Sequence, residues 1–104
     1  MRIMIITPYL HKGRKQLNHV ITKRVDNGFL ITAAEPDEFG CNHKVVFDDE
    51  TELSFVKALP YEIEEKIKDK YYDVVFIDDE YTPEEVWIIR CNLIGNQSKP
   101  IIYF

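Results

Sequence analysis

Three consecutive carboxylates, Asp78-Asp79-Glu80, stand directly after the apolar run Val74-Val75-Phe76-Ile77. Carboxylates gathered at one point of the backbone can hold a divalent cation or polarise an attacking water. An apolar run between acids reads as a buried parallel strand, and open α/β sheets place their sites where such strands emerge. The competing reading is that the acids only solvate a strand end.

Other groups offer less. His11, His19 and His43 have no mutual spacing that makes a ligand set, and no Ser or Cys stands in a nucleophile motif. On the segment between residues 45 and 57, Asp48, Asp49, Glu52 and Lys57 would suit a nuclease. A (D/E)xK motif ending at Lys57 needs an acid at position 55, however, and Phe55 stands there. The basic stretch from Lys12 to Arg24, with Tyr9 nearby for stacking, could meet phosphates. Against it stands a net charge of −5, and nucleic-acid binding is not expected.

The elements that must position these groups follow from periodicity. Arg2–Thr7 is apolar on both faces and predicts a central strand, stopped by Pro8. After a turn through His11, Lys12 and Gly13, the residues Leu17, Val20, Ile21 and Val25 repeat at helical spacing up to the stop at Asn27-Gly28. Phe29–Ala33 reads as a second buried strand and Glu35–Asn42 as a loop. Lys44–Phe47 and Glu52–Val56 flank the turn Asp48-Asp49-Glu50-Thr51 and predict a β-hairpin.

Pro60 opens a short helix over about 60–70, with Ile63 and Ile67 inward and Glu62–Lys66 and Glu64–Lys68 pairs outward. It delivers the chain to the acidic strand. Thr82-Pro83-Glu84-Glu85 is a capping box that starts a further helix, with Val86, Ile89 and Leu93 inward and Gly95 as its stop. Asn96–Lys99 then forms a loop before a last strand, Pro100–Phe104. The expected fold is one α/β domain over residues 1–104. It has three layers, a mainly parallel sheet of about four strands, flanking helices and an inserted β-hairpin.

Composition narrows the class. A chain of 104 residues with 45% apolar content can bury a core without staples. Cys41 and Cys91, far apart and outside any CxxC pair, do not make a disulfide framework or zinc site. No run approaches the roughly 18 apolar residues of a membrane span, and the N-terminus lacks the apolar region of a secretory signal. The expectation is a soluble, cytoplasmic protein. Charge divides along the chain: residues 1–34 carry six Lys/Arg against Asp26 alone, whereas residues 35–85 carry 17 acids against five lysines. That acidic stretch either keeps a surface wet or attracts a basic partner.

The strand with Asp78-Asp79-Glu80 resembles a Walker B strand. In that motif one carboxylate holds Mg²⁺ and the next polarises water opposite the phosphates. Ile5-Ile6-Thr7-Pro8, continuing to Gln16-Leu17, is similar to the TPxxxxxxxQ stretch of helicases and terminase-type ATPases. The hairpin Val45–Val56 resembles the strand pair before Walker B in large terminase subunits, and Lys99–Phe104 resembles the strand that follows it. Together these resemble the middle of a RecA-like ATPase core, which implies a virus- or mobile-element origin. There is no GxxxxGK[ST], and with four glycines the chain has none to spare for one. His11-Lys12-Gly13-Arg14-Lys15 lacks the spaced glycines of a phosphate cradle. The resemblance is therefore to a degenerate core, and ATP hydrolysis by this chain alone is not expected. A receiver-like domain with Asp78 or Asp79 as phosphoacceptor is a further resemblance, but such a domain needs acids where Thr7-Pro8 stands.

The functional expectation is a small non-enzymatic protein-binding module with no cofactor. It would dock to a partner, or to itself as a dimer, through the edge Ile101, Ile102, Tyr103 and Phe104 and through the acidic turn Asp48, Asp49 and Glu50. The rival expectation is an enzyme subunit, with Asp78, Asp79 and Glu80 as Mg²⁺ ligands and a partner supplying the phosphate loop.

Overall fold

The computed structural model describes residues 1–37, 40, 42–93 and 100–104. At its centre lies β1 (Arg2–Thr7), paired in parallel with β4 (Glu52–Lys57) on one side and β5 (Val74–Ile77) on the other. Its continuous apolar sequence is used on both faces. Ile3 and Ile5 point to one layer and Met4 and Ile6 to the other, all nearly or wholly buried.

On the first face lies α1 (Leu10–Asp26), whose Leu17 and Val20 pack with Ile3, Ile5, Val45, Phe47, Leu53 and Phe55. The helix begins at Leu10, so the turn expected through His11–Gly13 is its first turn instead. Gly13 is there for contact: a Cβ at that position would lie 2.0 Å from the Phe55 ring, so only glycine lets the helix sit this close to β4.

On the other face α2 (Ile63–Ile67), entered through a 3-10 turn at Pro60–Glu62, packs beside α3 (Pro83–Asn92) over Met4, Ile6, Val75 and Ile77. The helix expected to reach residue 70 stops at Ile67. Asp69, at φ 60°, has left helical geometry, and its N–H donates to the Asn92 carbonyl. The α3 capping box forms as read: the Glu85 N–H donates to Thr82 Oγ1 at 3.2 Å and the Thr82 N–H to Glu85 Oε1 at 2.8 Å. The expected stop at Gly95 and the loop Asn96–Lys99 lie outside the described residues.

The sheet has six strands in the order β2-β3-β4-β1-β5-β6, where β2 is Ile31–Pro36, β3 is Asn42–Phe47 and β6 is Ile101–Tyr103. This corrects the expectation of about four strands, mainly parallel, with a hairpin inserted. The hairpin exists, but β4 is a full interior strand, in register with all of β1, so β2–β3–β4 form an antiparallel half. The second strand also differs from its reading. It begins only at Ile31 and is exposed along its whole length at the outer edge, while Phe29 packs beside α1 with the Arg24 guanidinium 4.2 Å from its ring. Of the Glu35–Asn42 segment read as a loop, Glu35 and Pro36 belong to β2 and Asn42 to β3. No helix among the described residues is long and apolar enough to cross a membrane.

Candidate functional site

From β1 the chain leaves through α1 toward β2, and from β5 it leaves through α3 toward β6, on opposite faces and in opposite directions along the sheet. The crevice between the carboxyl ends of β1 and β5 is therefore the topological switch point, the place where open α/β sheets bind ligands. Thr7 ends one of these strands and Asp78 follows the other. Both side chains are fully buried.

Asp78 is held from three directions. The Thr7 hydroxyl donates to it at 2.5 Å, the Lys12 ammonium at 2.5 Å and the Glu80 N–H at 2.8 Å. Thr7 Oγ1 in turn accepts from the Tyr9 N–H at 3.1 Å, which fixes the turn between β1 and α1. Lys12, third residue of α1, also reaches Asp79 at 3.0 Å and Glu80 at 3.5 Å. The three acids thus converge on one ammonium. Among the described residues no group of three or more His, Cys, Asp or Glu side chains is placed to hold a metal ion.

Burial alone would push the Asp78 carboxyl up; the hydrogen bonds from Lys12, Thr7 and Glu80 outweigh it and hold the group below the usual carboxylate range. Lys12 answers in kind: partial burial works against its charge, and its bonds to Asp78 and Asp79 prevail and raise it above the ordinary lysine value. Nearby, burial raises the Tyr81 hydroxyl, which donates to the Ala58 carbonyl at 2.6 Å. A carboxylate made less basic and an ammonium made less acidic are both moved away from neutral pH, the reverse of what proton transfer needs. What the arrangement does chemically is lock the β1–α1 turn to the end of β5.

Sequence reading missed Lys12 as a member of this cluster and placed it among basic residues facing phosphates. The signal that could have found it is the pairing of β1 with β5, which sets Thr7 and Asp78 at one level and brings the first turn of α1 over them.

The expected binding residues fall in two places. Among the described residues β6 pairs only with β5 and forms an outer edge of the sheet. Ile102 and Tyr103 are 45% and 53% exposed, whereas Ile101 packs against the α2–α3 core and Phe104 lies partly buried near Lys12, 5.5 Å from its ammonium. The acidic turn is differently used. Asp48 and Glu50 are exposed, but Asp49 takes the Arg24 guanidinium at 2.5 Å and the Thr51 N–H and hydroxyl, which hold its carboxyl below the usual range against desolvation. Part of the charge division along the chain closes on itself: Arg2–Glu52, Lys12–Asp78, Arg14–Asp37 and Arg24–Asp49 each join the basic N-terminal stretch to the acidic one.

Comparison with family models, curated proteins and solved structures finds no match to this chain.

Proposed function

We propose that the chain is a non-enzymatic protein-binding domain that acts through the free edge of its sheet at β6. The observation that carries this reading is the outer side of β6, which no strand among the described residues pairs. The even-numbered residues bond to β5, through the Pro100 and Phe104 carbonyls and the Phe104 N–H, which leaves the backbone groups of Ile101 and Tyr103 directed outward beside exposed apolar side chains. Such an edge accepts an extended strand from a partner or from a second copy.

The site at the switch point supports the same choice. Its acids converge on Lys12, which stands where a cation would, and the turn between β1 and α1, Pro8-Tyr9, has no glycine to bring backbone N–H groups around a phosphate. The degenerate ATPase resemblance, and the viral or mobile-element origin it implies, are consistent with a scaffold kept for binding.

Tyr103→Pro tests the reading, because it removes an outward N–H and leaves the ladder to β5 intact. Sedimentation of the wild type between about 5 and 500 μM should show concentration-dependent association that this variant weakens at least tenfold. A strictly monomeric wild type that also binds no β-strand peptide, or association that Tyr103→Pro leaves unchanged, removes the edge from consideration.

A further inference from the structure

α1 stands over β1 and β4, and no described element covers the other half of that face. There half-buried Val74 and Phe76 and exposed Ile102 form an apolar floor, and a groove of about 360 Å³ runs between this floor and α1, adjoined at Gln16 and His19 by a second hollow against Phe104. The vacant position is helix-sized. β5–β6 lie two strand spacings from β4–β1, about 9.6 Å, which matches the usual 8–10 Å between packed helices.

The wall of the groove is basic. His19 and Lys23 line the groove and Lys15 the adjoining hollow, the three repeating every four residues along the exposed side of α1 in a row about 12 Å long. Neither lysine takes part in an ion pair among the described residues.

The opposite side of the same molecule carries a complementary element. The outer face of α3 presents Glu84, Trp87, Ile88 and Cys91, spaced to share one side of the helix, with Trp87 66% and Ile88 39% exposed. Glu64 and Glu65 of the adjoining α2 are exposed beside it. One face of the sheet thus offers a bare apolar half with a basic wall, and the other an acidic helix with an uncovered apolar stripe.

We infer that α3 of a second copy docks in the groove between α1 and β5–β6, completing the missing helix position. The contact is head-to-tail, since groove and helix lie on different faces, so each copy keeps one free surface of each kind and assembly continues beyond two chains. The inference rests on the reading that this is a binding domain and shares the Ile102 side chain with the β6 edge, but it does not use the outward backbone groups of β6.

The chain's one tryptophan, Trp87, reports the docking directly. On raising the concentration to about 1 mM, its emission should shift to the blue while the weight-average mass climbs past twice 12.3 kDa, and both effects should weaken at high salt. Two surface variants separate the halves of the contact: Trp87→Lys blocks the helix, and Lys15→Glu with Lys23→Glu blocks the groove. Each alone should lose at least tenfold in association. Mixed together they should form a 1:1 complex, because each retains the surface the other lacks, and the tryptophan of the groove variant should then shift blue. A monomeric wild type, a mixture that stays monomeric, or variants that still dimerise unmixed would each overturn the inference. The last outcome would point to pairing at β6 instead.

Discussion

Replacing Lys12 by methionine keeps the length of the side chain and most of its packing while removing the charge that three carboxylates share. Asp78 is fully buried and would keep only the Thr7 hydroxyl and the Glu80 N–H as donors. A hydrogen bond to a charged group contributes about 1.5–3 kcal/mol, and a buried charge stripped of its partner costs more. Lys12 is 30% exposed, so water relieves part of that loss, and a destabilisation of about 2 kcal/mol at pH 7 is expected. With an unfolding entropy of about 2.1 cal/mol/K per residue over 104 residues, that lowers Tm by about 9 °C. Chemical denaturation of wild type, Lys12→Met, Asp78→Asn and the double variant gives the coupling between the two groups, expected to exceed about 1 kcal/mol. A coupling near zero would mean that the cluster does not lock β1–α1 to β5, and the structural role assigned to it would fall.

The same cluster sets a pH dependence. Asp78 is held below its unfolded value, so its contribution is complete above the ordinary aspartate range and is lost as pH falls below about 4; Lys12 is raised, so its contribution fails only as pH rises past about 10.4. Denaturant midpoints should therefore be flat between those limits, and acid sensitivity should shrink in Asp78→Asn. Gly13→Ala should destabilise by about 2–3 kcal/mol despite alanine's better helix propensity, because the new methyl meets the Phe55 ring; combining it with Phe55→Leu should recover part of the loss in thermal melts.

The legible parts of this fold were those with local physical causes. The capping box at Thr82, the two-faced apolar run of β1 and the turn at Asp48–Thr51 each carry their signal within a few residues, and each forms where it was read. What failed depended on partners distant in sequence. Gly13 looked like a turn residue because nothing local announces that Phe55 will lie against it. Phe29 looked like strand because its stacking on Arg24 cannot be read from its neighbours. The site was half legible for the same reason. Asp78, Asp79 and Glu80 stand out as a run, whereas Lys12 joins them only once β1 and β5 are adjacent, across 66 residues of chain.

The central claim is that these carboxylates are committed to Lys12 and that the molecule works by binding protein rather than by handling nucleotides. Its most direct test is a titration of the wild type with MgCl₂ and then ATP, followed through the amide resonances of Asp78, Asp79 and Glu80. The account predicts no saturable shift in these resonances and no change in melting midpoint with either addition. Saturable shifts centred on these residues, with the stabilisation that binding to the folded state brings, would contradict it.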